Sequence, residues 1–140
     1  MKKGDIIKCF RGLYYHFGIY VGNNKVIHFS SPYGKETDAR EADVIETSLM
    51  QFCNGDVAVV DHSMPACYTG EEVVRRAKSK LGTLKGKYNL LNYNCEHFAN
   101  WCRCGESKSK QSDLAIMGLG FLALGFGVIF NGKRRATLLR

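Results

Sequence analysis

Two short runs with strict alternation, HFGIYV over 16–21 and KVIHF over 25–29, constrain the fold of this chain most. In the first run Phe17, Ile19 and Val21 share one face, which is the period of two expected of a half-buried strand. The GNN between the two runs is a turn signal. The runs therefore predict an antiparallel β-hairpin.

The hairpin carries two histidines, His16 and His28. Facing positions share a face and faces alternate with period two, so the histidines meet only across an odd-numbered loop or a bulge. A three-residue loop over 22–24 would set Gly18 against His28. A two-residue turn at 23–24 would put the histidines on opposite faces. Taken alone, two unrelated half-exposed histidines are the commoner explanation.

Local signals predict the other elements of the chain. GDIIKCF near the N-terminus and GDVAVVDH, 55–62, are predicted strands, and SSPYGKETDAREAD after the hairpin is loop-like. TGEEVVRRAKSKLG is a predicted helix, because Thr69 caps it and Glu72 completes a capping box. Gly82 is its predicted C-terminal stop. The apolar stripe of this helix comprises Val73, Val74, Ala77 and Leu81.

The stretch YNCEHFANWC, 93–102, predicts a helix that begins at Cys95. Asn94 directly before it is a favoured N-cap residue. The residues at the i, i+3, i+4 spacing of one helix face are Phe98, Trp101 and Cys102.

A helix start carries partial positive charge and unpaired N–H groups. Both favour a thiolate at Cys95, and the helix N-terminus at Asn94 and Cys95 is a candidate to hold a developing oxyanion. The simpler alternative is a small buried side chain, because free cysteine is among the most buried residue types. His97 is a poor base for Cys95 and is predicted to be structural, since i and i+2 point in different directions on a helix.

Charge and cysteine content narrow the setting in which the protein acts. Twenty basic residues against 13 acidic ones give a net charge of +7, which favours nucleic acid or an anionic membrane face as partner. MKKGDIIKCF lacks the apolar core of a secretory signal, so the six cysteines are expected to be thiols in a reducing compartment. With no C-x-x-C pair and scattered histidines, no metal or other cofactor is predicted.

Composition divides the chain into a globular domain over 1–105, a polar linker over 106–113, an uncharged run over 114–130 and a basic tail over 131–140. The uncharged run predicts membrane association as a full span, a shallow insertion or a helical hairpin, with a buried core helix as the alternative. The predicted anchor residues are Leu114, Phe121, Phe126 and Phe130, and the predicted contacts to anionic headgroups are Lys133, Arg134 and Arg135.

Two motifs in combination are specific. GDIIKCFRGLYYHFGIYVGNNKVIHFS, followed far downstream by NCEHFANW, resembles the lecithin retinol acyltransferase-like superfamily, most closely its phospholipase A and acyltransferase (H-rev-like) family. The resemblance spans most of the chain and includes the apolar C-terminal run with its basic end. It implies an α+β, permuted papain-like (NlpC-type) fold, in which a small antiparallel sheet packs on helices and the base histidine precedes the nucleophile.

The resemblance also implies a site and a reaction. Cys95 matches the nucleophile, His16 the general base and His28 the residue that orients His16. The implied activity is that of a metal-independent phospholipase A1/A2 and acyltransferase that acts on glycerophospholipids through a cysteine thioester, including N-acylation of phosphatidylethanolamine. We expect a monomer with a cytoplasmic catalytic domain, associated with intracellular membranes through 114–130.

Two other classes of function fit the same motifs. Related picornaviral non-structural proteins carry the histidine box and the NC motif, and there the fold serves interaction with host factors or RNA, which a charge of +7 permits. A peptidase or amidase of the wider papain-like group is the third possibility. The apolar C-terminal run disfavours a water-soluble peptide substrate.

Overall fold

The computed structural model describes residues 1–31, 39–89, 93–114 and 116–118. The strands are β1 (Ile6–Phe10), β2 (Tyr15–Gly22), β3 (Lys25–Ser30), β4 (Asp43–Ser48) and β5 (Val59–Val60), and the helices are α1 (Leu49–Cys53), α2 (Gly70–Ser79) and α3 (Cys95–Cys104). Residues 110–114 and 116–118 are also helical. The strands form one antiparallel sheet in the order β4-β3-β2-β1-β5. The predicted α+β class with a small antiparallel sheet is confirmed.

The β2–β3 hairpin combines the two geometries that the sequence offered. Asn23 and Asn24 form a two-residue turn with φ of 52° and 56°, and Gly22 before them has φ of 91°. Positive φ at both central residues is typical of the tight turns that match strand twist. A bulge between Tyr20 and Gly22 then shifts the register by one residue. The pairs are Gly22 with Lys25, Tyr20 with Val26 and Ile19 with Ile27.

This register puts His16 and His28 on the same face of the sheet. Beyond the bulge the pairing of Ile19 with Ile27 is the one that an odd-numbered loop predicts. The required odd residue is therefore supplied by the bulge, and the turn itself has two residues. The sequence predicted that the histidines meet only across an odd-numbered loop or a bulge, and the structure confirms the bulge.

The two faces of the sheet are covered by different helices. One face, with Phe17 and Ile19, packs with residues of α2 and α3 in the larger hydrophobic cluster. The other face carries Ile7 and Val26 and packs against Phe52 of α1 in a smaller cluster. The short helix α1 thus covers the histidine face, because a histidine and a valine two residues apart on β3 share one side of the strand.

The sequence did not predict β4 and α1. β4 pairs with β3 along its whole length, from Ser30 against Asp43 to Lys25 against Ser48. Ser48 then caps α1, and Gln51 completes a capping box with it. The Ser-x-x-Gln pattern was the available local signal for this helix. Residues 32–38 of the predicted loop lie outside the described residues.

Helix α2 differs from its prediction at both ends. Thr69 caps the helix by accepting a hydrogen bond from the Glu72 N–H at 3.2 Å, as predicted. The predicted capping box is wrong, because the Glu72 carboxylate pairs with Arg75 instead. The helix ends at Ser79, so Leu81 is exposed and does not extend the buried stripe. Similarly, only Val59–Val60 of the strand predicted over 55–62 pairs with β1.

The predicted membrane segment falls largely outside the described residues. Leu114 is described, is helical and is 68% exposed. No helix among the described residues is long and apolar enough to cross a membrane. The other predicted membrane and headgroup residues lie outside the described part of the chain, namely Phe121, Phe126, Phe130, Lys133, Arg134 and Arg135.

Candidate active site

Cys95 is the first residue of α3, as predicted. Asn94 is the N-cap, and its side-chain oxygen accepts hydrogen bonds from the N–H groups of Glu96 and His97 at 3.0 Å and 3.3 Å. The Cys95 Sγ lies 4.0 Å from the backbone oxygen of Tyr15, the first residue of β2. The cap thus fixes the thiol beside the start of the strand that carries His16.

A largely apolar cleft of about 570 Å³ opens onto this thiol. Its polar lining comes from Asn94, Gln111 and Ser112. Its apolar and aromatic lining residues are Phe10, Leu13, Tyr14, Tyr15, Tyr88 and Leu114. A concave apolar site with a few polar groups around one reactive atom is typical of a binding site for a hydrophobic substrate.

His16 and His28 form a buried chain of hydrogen bonds that ends at Thr47. His16 Nε2 lies 2.8 Å from His28 Nδ1, and His28 Nε2 lies 2.8 Å from the Thr47 hydroxyl. The Thr47 hydroxyl donates to the Ser48 carbonyl at 3.3 Å, so it accepts from His28. For uncharged rings this sequence of donors assigns the proton of His16 to Nε2. Nδ1 of His16 is then the basic nitrogen.

The surroundings of the pair favour the uncharged form of His16. Phe52 packs on both rings, with centroid distances of 5.1 Å to His16 and 5.2 Å to His28. Burial, together with the positive charge of Arg11, lowers the pKa of His16 from 6.5 to about 3. His16 is therefore neutral at physiological pH, with Nδ1 unprotonated.

The structure brings the two histidines together and places the Cys95 thiol beside Tyr15, at the start of β2. Cys95 packs in the larger cluster, whereas His16 and His28 face Phe52 on the other side of the sheet. Among the described residues, His16 Nδ1 is buried and makes no hydrogen bond. The pairing of Cys95 with His16 stays a prediction.

Two other thiols are buried in environments that oppose ionisation. Burial raises the pKa of Cys102, and burial together with Cys53 raises the pKa of Cys9 to about 12. Both side chains stay protonated at neutral pH and act as small core residues. Cys95 is also buried, but unlike them it lines the cleft.

His97 has the structural role that helix geometry predicted. Its Nδ1 accepts a hydrogen bond from the backbone N–H of Asn94 at 3.1 Å, which completes the capping box of α3. The Asn94 N–H is thus engaged within the cap of α3, and the assignment of Asn94 and Cys95 to the oxyanion stays a prediction. The N–H of Cys95 is the remaining backbone candidate of the predicted pair.

The sequence analysis missed four residues around the site. Thr47 lies in β4, which was not predicted. Phe52 directly follows the capping box of α1, which was not recognised in the sequence. Glu96 accepts hydrogen bonds from Ser109 and from the Gln111 N–H. The Gln111 side chain bonds to the backbone of Tyr15. No local signal could have shown the bond between Gln111 and Tyr15, since 96 positions separate them. Within the described residues, no group of three His, Cys, Asp or Glu side chains is arranged to hold a metal ion.

The described structure is that of an α+β domain with a capped cysteine at a helix start and a buried histidine pair. The family model of lecithin retinol acyltransferase matches residues 1–108 of the 140, and the chain belongs to that family. Phospholipase A and acyltransferase 3 of Homo sapiens is 30% identical over 154 residues, covering 96% of this chain and 93% of the relative. Phospholipase A and acyltransferase 1 of Mus musculus is 31% identical over 149 residues, covering 96% and 89%.

A more distant relative marks the breadth of the family. Lecithin retinol acyltransferase of Mus musculus is 29% identical over 135 residues, which cover 79% of this chain and 58% of the relative. The names of these relatives define a family of lipid acyltransferases and phospholipases.

Proposed function

We propose that this protein is a cysteine-dependent phospholipase A1/A2 and acyltransferase that acts on glycerophospholipids. The observation that carries the proposal is Cys95 at the capped start of α3, open to an apolar cleft. Relatives named phospholipase A and acyltransferase, which cover nearly the whole chain, support it. We also propose the permuted papain-like (NlpC-type) arrangement, in which the base on β2 precedes the nucleophile on α3.

The proposed reaction begins with proton transfer from the Cys95 thiol to His16 Nδ1. The sulfur attacks the carbonyl carbon of a fatty-acyl ester, and the oxyanion is held by the N–H of Cys95 at the positive end of α3. The protonated His16 returns its proton to the departing glycerol oxygen as the C–O bond breaks. A lysophospholipid leaves, and the fatty acyl group remains on Cys95 as a thioester.

The thioester is resolved by a second acceptor. Water attacks the acyl carbon while His16 takes its proton, which releases the fatty acid and regenerates the thiol. The amine of phosphatidylethanolamine can attack instead, which gives an N-acylated product. His28, itself held by Thr47, keeps His16 in the tautomer with a basic Nδ1 throughout.

The setting of the reaction follows from the substrate. A phospholipid membrane is the proposed partner, and the uncharged run over 114–130 is the proposed anchor that holds a cytoplasmic domain at intracellular membranes. We propose that the protein acts as a monomer. No step of the scheme uses a metal or another cofactor.

The test is product analysis with mixed vesicles of phosphatidylcholine and phosphatidylethanolamine that carry an isotope-labelled acyl chain. We expect labelled fatty acid, lysophosphatidylcholine and N-acylated phosphatidylethanolamine, with rates changed less than about twofold by EDTA. Loss of turnover in EDTA would contradict the metal-independent scheme. RNA binding at physiological salt without any lipid product would instead support the interaction function of the picornaviral relatives.

A further inference from the structure

Exposed apolar side chains cluster at the mouth of the cleft. Leu13, at the tip of the turn between β1 and β2, is 97% exposed. Phe10 and Tyr15 beside it are 48% and 40% exposed, and Leu114 across the cleft is 68% exposed. All four line the cleft that contains Cys95. We call these four residues the cleft rim.

We propose that the cleft rim inserts into the surface of a lipid bilayer, so that the cleft opens directly onto its substrate; this rests on the proposed function. A fully exposed leucine at a turn tip contributes nothing to the core and is stabilised by burial in a lipid surface. The rim is also continuous in sequence with the uncharged run that follows Leu114. The exposed Lys110 nearby is placed to meet anionic headgroups.

A lipid surface fits these features better than a protein partner does. An acyl chain that leaves a bilayer must stay out of water until it reaches the thiol, and a rim in contact with the bilayer provides that path. The rim residues Phe10, Leu13 and Tyr15 belong to the globular domain, whereas Leu114 is also the first residue of the anchor proposed from the sequence. The anchor sets residence at the membrane, and the rim sets the orientation of the cleft.

The test uses the full chain and Leu13→Glu, with Met50→Glu as the matched control. Met50 is 83% exposed on α1 and does not line the cleft. With vesicles of phosphatidylcholine and a minority of phosphatidylserine, amide hydrogen exchange should slow over 10–15 and stay unchanged over 49–53. Leu13→Glu should lower turnover on vesicles by about tenfold or more, whereas Met50→Glu should turn over vesicle lipid at the wild-type rate.

Equal vesicle turnover for Leu13→Glu, Met50→Glu and wild type would overturn the proposal, as would unchanged exchange over 10–15. Exchange protection without any lipid product would have a different meaning. It would support membrane insertion of the cleft rim and contradict the proposed function.

A second inference concerns residues 107–113, whose composition resembles a linker; we call them the strap. Ser109 and Ser112 of the strap are buried, at 1% and 3% exposure. The buried carboxylate of Glu96, one residue after Cys95, accepts a hydrogen bond from the Ser109 hydroxyl at 2.5 Å and from the Gln111 N–H at 3.1 Å. The strap is thus fastened to the start of α3.

The same strap is also fastened to β2. The Gln111 side chain accepts from the Tyr15 N–H at 2.6 Å and donates to the Tyr15 oxygen at 3.0 Å. That oxygen is the atom 4.0 Å from Cys95 Sγ. The side chain of Gln111 therefore holds both polar backbone groups of the residue next to His16.

The geometry points to Gln111 and Glu96 as positioning residues that set the separation of Cys95 from His16. Each of them acts on a neighbour of a candidate catalytic residue. Glu96 directly follows Cys95 in the chain. Gln111 holds Tyr15, which directly precedes His16. The inference depends on the proposed dyad. Small errors in such a separation are costly, because a shift of about 1 Å can lower a rate about 100-fold.

The test compares Gln111→Ala and Gln111→Glu with Lys108→Ala, a change at an exposed lysine of the strap. Gln111→Ala should lower kcat about 10- to 100-fold with KM changed less than about twofold. Gln111→Glu keeps the oxygen that accepts from Tyr15 and should recover part of the loss. Lys108→Ala should match wild type in kcat.

Thiol alkylation separates positioning from a purely structural role. With iodoacetamide, and with adducts mapped by peptide mass, the reaction of Cys95 in Gln111→Ala should move to higher pH, whereas the exposed Cys67 in the same sample should not change. The inference would be overturned if Gln111→Ala had the kcat of wild type and the same pH dependence of Cys95 alkylation. This readout needs no lipid, so it stays informative if phospholipid turnover is not found.

Discussion

Replacing Cys95 with alanine is expected to abolish the acyl-enzyme and to lower phospholipid turnover by at least about 10³-fold. The Cys95 sulfur is the only protein atom in the proposed scheme that bonds to the acyl carbon, and removal of a nucleophile typically costs several orders of magnitude. Incubation with phosphatidylcholine vesicles, followed by intact-mass analysis, should show an acyl adduct on wild type that is absent from Cys95→Ala.

The matched control is Cys67→Ala. Cys67 is exposed, so its loss removes one thiol without disturbing the core. This variant should carry the acyl adduct and turn over lipid at the wild-type rate. An adduct that persists in Cys95→Ala, or disappears in Cys67→Ala, would assign the chemistry to a different thiol.

The second large effect is the loss of stability of the folded protein in acid, which we expect to depend on His16. Burial and Arg11 lower its pKa from 6.5 to about 3, so the unfolded chain binds more protons than the native state between these pH values. Stability therefore rises with pH in this window, and the contribution is lost as pH falls from 6.5 toward 3. At 1.36 kcal/mol per pH unit, the loss is on the order of 5 kcal/mol.

Urea unfolding across this pH range measures the effect. His16→Gln removes the titrating group while leaving an amide that can reach His28, so its unfolding free energy should fall less steeply in acid than that of wild type. His62→Gln, a change at an exposed histidine, should keep the wild-type slope. Equal slopes for wild type and His16→Gln would mean that His16 is already protonated in the folded protein, as in a preformed thiolate–imidazolium pair.

The elements that could be predicted are those with local causes. The start of α3 follows from Asn94 and the apolar spacing behind it, and the start of α2 follows from Thr69. The hairpin follows from the alternation on both sides of its turn. The sequence also left only two arrangements for His16 and His28, on the same face of the hairpin or on opposite faces. This follows because side-chain direction along a strand repeats every two residues.

The missed elements depend on distant partners. β4 is a strand because β3 pairs with it, and a pairing across an intervening loop leaves little trace in a short window of sequence. α1 had a local signal in its Ser48–Gln51 capping box, but its role came from Phe52 packing on both histidines. The strap resembles a linker in composition, and only its contacts with Glu96 show that its serines are buried.

By itself the sequence determined the candidate site residues, the local elements that carry them and the family resemblance, because motifs, caps and periodicity act over a few neighbouring residues. The tertiary structure decided the surroundings of those residues. It placed Cys95 in an apolar cleft and buried His16 against Phe52, and this burial lowers the pKa of His16. It also connected β2 to α3 through the hydrogen bonds of Gln111. These properties depend on which distant groups share the same space, and burial and electrostatics act through space between groups far apart in the chain.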